Sequence, residues 1–129
     1  MDGPSAPSLR PLRGQLWELD LSSRKGREQR GVRPCLIVST DGLNRSEFGT
    51  VVVCPITTRS RPSFLWRVGL QPSDLRIIEA SWSPEPSWVQ TDQIVTVDTQ
   101  ERVLRHLATI LDPWKLDEVD DSLRLMLGL

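Results

Sequence analysis

Two short runs, PCLIVST (34–40) and TVVVCPI (50–56), are apolar at successive positions rather than at every second one. Strands that read this way are covered on both faces. The stretch between them, DGLNRSEFG (41–49), carries turn formers throughout. The pair predicts a buried antiparallel hairpin whose opposed residue numbers sum to about 90. Any fold for this chain has to wrap further structure around both sides of it.

The flanking segments supply short strands. RGQLWELDL (13–21) sets Trp17, Leu19 and Leu21 against Glu18 and Asp20 with the period of a strand. FLWRVGL (64–70) reads as a shorter strand. Strand-length pieces follow around 76–80 and 87–90, then IVTV (94–97). VLRHLATI (103–110) fits a strand or a helix equally well. Near the end, Asp112 and Pro113 occupy N-cap and first-turn positions. Leu116, Val119, Leu123 and Met126 then recur at helical spacing until Gly128 stops the run. The order predicts a mainly β fold of the α+β kind: a small antiparallel β-barrel capped by a C-terminal amphipathic helix.

With 129 residues, a single domain over 13–129 is expected, preceded by a loose Pro/Ser-rich tail over 1–12. No apolar run approaches the ~18 residues of a membrane span. MDGPSAPSLRPLRG lacks the apolar centre of a signal peptide, so a cytoplasmic location is expected. Cys35 and Cys54 show no metal-ligand spacing. They fall at nearly opposed hairpin positions, so proximity permits a bridge, but a reducing compartment favours free thiols.

The net charge of −1 argues against a general nucleic-acid coat, but its distribution is uneven. Residues 1–80 hold 12 of the 16 cations and only 8 of the 17 acids. Fourteen of the cations are arginine, whose planar fork suits phosphate. In the predicted hairpin Arg33 faces Thr57 at the open end. The polar loops 22–32 and 57–63 meet there, gathering Arg24, Lys25, Arg27, Arg30, Arg33, Arg59 and Arg61 around one carboxylate, Glu28. On pattern alone this is equally a solvated basic rim or an anion site.

Other chemistry is sparse. His106 is the single histidine, which excludes a two-histidine ribonuclease mechanism within one chain. Its position fits a half-buried strand. Asp117, Glu118, Asp120 and Asp121 fall on the solvated side of the last helix, and no cluster has zinc spacing. No metal or other cofactor is expected. Trp82 and Trp88 flank the proline-rich loop SPEPS and are candidates to stack on nucleobases. Trp17 and Trp66 read as core or subunit surface.

RGQLWELDL, GREQRGVRPCLIVST, GTVVVCPITTR and SWVQTDQIVTVD together resemble the MazF/PemK family of toxin endoribonucleases, from Arg13 to Leu129. The resemblance implies an SH3-like barrel, a homodimer, and metal-independent, sequence-selective cleavage of single-stranded RNA. It also implies a cognate antitoxin whose disordered acidic tail lies over the RNA groove. Arg33 and Thr57 match the family's catalytic pair, Glu28 its loop glutamate and Gln93 the glutamine of its DQI segment. The chain departs from the family at Val95, where a basic residue is common. The alternative is a barrel of the same fold that binds a protein without cutting RNA, as gyrase-targeting toxins do.

These residue types suit cleavage by the RNA's own 2′-hydroxyl. That reaction needs a base, stabilisation of a phosphorane and protonation of the leaving oxygen. Arg33 suits phosphorane stabilisation, and Thr57 can donate to a developing oxyanion. Glu28 can act as the base or pair with Arg27 or Arg30.

Overall fold

A computed structural model describes residues 10–23, 25–28, 30–59 and 66–129. The chain runs β1 (Gln15–Asp20), β2 (Val32–Ile37), α1 (Asp41–Asn44), β3 (Thr50–Thr57), β4 (Arg67–Leu70), β5 (Leu75–Ile77), β6 (Ser87–Gln90), β7 (Val95–Asp98), β8 (Val103–Ile110) and α2 (Pro113–Leu127). The strands form one antiparallel sheet in the order β4-β6-β3-β2-β1-β8-β5, with β7 also pairing to β3. The fold is mainly β: a curled antiparallel sheet with a C-terminal helix.

Two features curl the sheet. The β1–β8 ladder shifts register twice, between Leu16 and Trp17 and between Glu18 and Leu19, and each irregularity bends and twists the strand. β3 serves two neighbours in succession, β7 along Thr50–Val53 and β6 at Ile56 and Thr57. The curl buries both faces. Leu16, Leu36, Cys54, Ile56, Val89 and Leu107 build one apolar cluster, which α2 covers with Val119 and with the half-buried Leu116 and Leu123. Trp17, Leu19, Leu21, Cys35, Ile37 and Val53 build the other. The alternation of Trp17, Leu19 and Leu21 read from the sequence therefore marks one face.

The hairpin register is as expected, with Cys35 opposite Pro55, Leu36 opposite Cys54 and Ile37 opposite Val53. Cys35 and Cys54 are diagonal neighbours whose side chains enter different clusters. Both are buried and free, because the pleat points them to opposite faces.

Local differences from the sequence reading have local causes. The turn-rich 41–49 stretch contains one helical turn, α1, because the Asp41 carboxylate accepts from the Arg13 amide and Asn44 is drawn inward. VLRHLATI is a strand, β8, because β1 and β5 offer ladders on its two edges. β4 is described from Arg67, and positions 64 and 65 lie outside the described residues. Helix α2 begins where the sequence places it, the Asp112 side chain accepting from the Trp114 amide at 2.9 Å. It ends at Gly128, whose φ of 72° is the left-handed cap glycine allows.

Candidate functional site

The open end of the hairpin is where its two strands part company. Beyond the Cys35–Pro55 pair, β2 continues along β1, with Arg33 opposite Leu19. β3 turns to β6, with Thr57 opposite Trp88. Pro34 and Pro55 flank the parting, and neither has an N–H to add a rung. The gap is the mouth of a cavity of about 770 Å³.

Arg33 and Thr57 both line that cavity, with Arg27, Glu28, Arg30, Arg59 and Gln93. These come from three places in the chain: β2 and the loop before it, the end of β3 and the residues just after it, and the short 3₁₀ turn over 91–93. The loop is closed at its base by the Leu21 amide donating to the Gly31 carbonyl at 2.9 Å. Gly31 has a φ of 91°, and a Cβ there would lie 3.9 Å from the Arg33 guanidinium. Glycine thus allows the chain to fold back beside that group.

The geometry gives each polar atom a defined role. Arg33 Nε donates to the Arg30 carbonyl at 2.8 Å, tying the guanidinium to the loop. Partial burial moves the Arg33 pKa below its ordinary value, and the like charge of Arg59 acts in the same direction. Thr57 is buried, and its Oγ1 accepts from the Arg59 amide at 3.2 Å. That bond uses an oxygen lone pair and leaves the hydroxyl proton to donate.

Three lining residues escaped the sequence reading. Arg67 on β4 pairs with Asp92 at 3.5 Å and is only 10% exposed at its side chain. Gln90 closes β6. The available signals were a cation interrupting the apolar FLWRVGL and polar residues ending the strand in SWVQTDQ. Nothing local connects either segment to the 22–32 loop.

The remaining predicted residues are dispersed. Lys25 sits in the loop but lines neighbouring hollows rather than this cavity. Trp88 is half-buried on β6 beside the site, whereas Trp82 packs partly buried against the apolar cluster under α2. Arg24 and Arg61 lie outside the described residues, as does most of the tail.

His106 stacks on Trp17, with ring centroids 4.8 Å apart and 9° between planes. Its Nε2 lies 3.1 Å from the Ala108 carbonyl, and burial lowers its pKa, Arg76 adding to the effect. It is a structural residue of β8 outside the cavity lining. Burial chiefly, with help from Asp92, pushes the Cys54 thiol up to about 12. Among the described residues no three His, Cys, Asp or Glu side chains converge as metal ligands, and no helix is long and apolar enough to cross a membrane.

Residues 12–127 match the family model of the PemK-like, MazF-like toxin of type II toxin-antitoxin system. Among solved structures, a mycobacterial endoribonuclease in complex with its cognate antitoxin is 29% identical with a TM-score of 0.68, over 94% of this chain and 96% of that one. A second mycobacterial endoribonuclease is 27% identical with a TM-score of 0.70, over 96% and 97%. MazF from Deinococcus radiodurans is 26% identical with a TM-score of 0.70, over 92% and 97%.

Proposed function

The chain belongs to the PemK-like, MazF-like toxins of type II toxin–antitoxin systems, and from that membership we propose that it is a toxin endoribonuclease. Its substrate is single-stranded RNA, messenger RNA foremost with transfer and ribosomal RNA as further targets. It cuts at selected sequences and needs no metal ion. The observation that carries this reading is one cavity lined by Arg33, Thr57 and Glu28 together.

In the proposed mechanism the scissile phosphate sits between Arg33 and Thr57. Glu28 takes the proton of the 2′-hydroxyl, which attacks the adjacent phosphorus. Negative charge grows on the non-bridging oxygens, where the Arg33 fork holds it and the Thr57 hydroxyl donates. Both donors are held in place ahead of the reaction, Arg33 through the Arg30 carbonyl and Thr57 through the Arg59 amide. Such preorganisation lowers the barrier without reorganisation during the step. A guanidinium stays charged even when partly desolvated, so Arg33 acts as an electrostatic clamp. The 5′-oxygen departs with a proton from solvent, leaving a cyclic phosphate. Arg27, Arg30 and Arg59 hold neighbouring phosphates, and Gln93 and Trp88 contact bases.

The same reading extends to architecture and partners. The curled sheet corresponds to an SH3-like barrel, and the active form is a cytoplasmic homodimer. A cognate antitoxin covers the basic cavity with a disordered acidic tail, in keeping with the mycobacterial relative solved with its antitoxin. The decisive assay is incubation of purified protein with a long, largely unpaired RNA of mixed sequence in excess EDTA. Discrete fragments ending in cyclic phosphate are expected. Intact RNA, or cutting that requires added magnesium, overturns the proposal, and an inert protein would point to a protein-binding module.

A further inference from the structure

The cavity around Arg33 does not end at Glu28. A second hollow, of about 510 Å³, shares Arg27, Glu28, Asp92 and Gln93 with it and adds Lys25. A third, of about 400 Å³, shares Lys25 and Glu28 with the second and reaches Ser23, Thr96 and Arg102. Glu28 borders all three. Through these shared residues the three hollows follow one another from the end of β3 past Glu28 and Lys25 to β7 and Arg102.

The far end has the chemistry of the near end. Its cations are Lys25, exposed on the loop, and Arg102. The Arg102 guanidinium is set in place by the Asp20 carbonyl at 3.1 Å and by Ser23 Oγ at 2.5 Å. Two of its five N–H groups are used in these bonds, so donors remain for an anion. Asp20, the nearby acid, accepts from the Ser22 amide at 2.8 Å, and its carboxylate also interacts with the Arg102 charge. Beside these cations β7 contributes Val95, Thr96 and Val97 to the wall. Cations beside a partly apolar wall, one of them held in place, suit the alternating phosphates and bases of a single strand.

We propose that this far hollow is a flanking subsite for single-stranded RNA, in which Arg102 and Lys25 hold a phosphate one or more nucleotides from the scissile one. The proposal rests on the endoribonuclease reading. It makes catalytic efficiency depend on substrate length on one side of the cut.

The test uses RNAs carrying the mapped cleavage site, a core of about four nucleotides and versions extended to about eight on the 5′ or the 3′ side. Matched analogues with a 2′-deoxy sugar at the cut report binding without turnover. Wild-type protein should favour one extended series several-fold over the core, in kcat/KM and in binding. Arg102→Gln, which can still donate to Asp20, should bring that ratio close to one, and Lys25→Gln should lower it as well. The log–log salt slope for the favoured long analogue should fall by about 0.7 per lost phosphate contact, and the slope for the core should not. Equal losses on core and extended RNA would overturn the subsite, since Arg102 would then act through the loop. Wild-type indifference to length would also overturn it while leaving the endoribonuclease intact. A changed oligomeric state with normal length dependence would assign the hollow to a subunit interface instead. Protein that neither binds nor cuts any of the RNAs would remove both proposals.

Discussion

The two ends of the β2–β3 hairpin hold similar polar residues in opposite situations. At the turn end the polar atoms answer one another. Asn44 Nδ2 donates to the Ser39 carbonyl and to Asp41 Oδ1, both at 3.0 Å, and Ser39 Oγ accepts from the Val52 amide at 3.0 Å. Asp41 Oδ1 also accepts from the Arg13 amide at 2.8 Å. At the open end Arg27, Arg30, Arg33, Arg59 and Arg67 converge on a cavity whose acids, among the described residues, are Glu28 and Asp92. One network is closed on itself and holds the turn. The other sets five arginines against two carboxylates. The contrast separates a closed polar network from a cavity with a surplus of positive charge.

The largest expected effect is at the open end. Arg33→Ala should lower cleavage by on the order of 10²-fold or more, since one preorganised donor to a developing oxyanion is typically worth that much. The unfolding free energy should change by less than ~1 kcal/mol, because little apolar packing is lost. Arg33→Lys should recover little, as one ammonium cannot reproduce the fork. Thr57→Ala should also impair cleavage, and the double variant should lose less than the product of the two single effects. Steady-state kinetics beside chemical denaturation checks all four. Near-normal cleavage by folded Arg33→Ala would erase the distinction between the ends.

At the turn end the pattern should invert. Asn44→Ala removes a buried side chain that bonds Ser39 and Asp41. It should cost about 2 kcal/mol of unfolding free energy in chemical denaturation, the penalty of leaving buried partners unpaired. Cleavage per folded molecule should stay within about twofold, because sites that share no partners vary independently. A large kinetic defect with normal stability would show that the turn communicates with the cavity.

The smallest effect concerns pH. The Arg13 amide chiefly, with Asn44 and nearby cations, holds the Asp41 carboxyl below its ordinary value of 3.8. A depressed folded pKa contributes stability that is present above the unfolded value and lost as pH falls through the folded one. Unfolding followed below about pH 4 should therefore be less steep with pH in Asp41→Asn than in wild type. Identical slopes would mean that this carboxylate is not differentially stabilised in the fold.

Much of this organisation is readable in the residues. The hairpin register follows from two apolar runs about a turn-rich centre, and it carries Arg33 and Thr57 to the same end, where their strands part to pair with β1 and β6. The caps of α2, Asp112 and Gly128, act within one turn and are equally local. The same locality explains what stayed hidden. VLRHLATI carries no decisive period, and only the free edges of β1 and β5 make it a strand. Trp82 and Trp88 look alike beside SPEPS, but one packs against the apolar cluster of Leu16 and Leu107 and the other sits opposite Thr57.

Local patterning was enough to specify the central hairpin, its register, the terminal helix and the crowding of cations over the hairpin's open end. Each depends on residues within a few turns or one loop closure of one another, where periodicity and steric preference act directly. It took the folded sheet to decide that Arg67, Gln90 and Asp92 complete the cavity, that Cys35 and Cys54 face apart, and that Arg102 lines a hollow with Glu28 and Lys25. These depend on β3 changing partner from β7 to β6 and on the curl of the whole sheet. Long-range pairings of that kind are fixed by the burial of two apolar faces at once, which no single segment encodes.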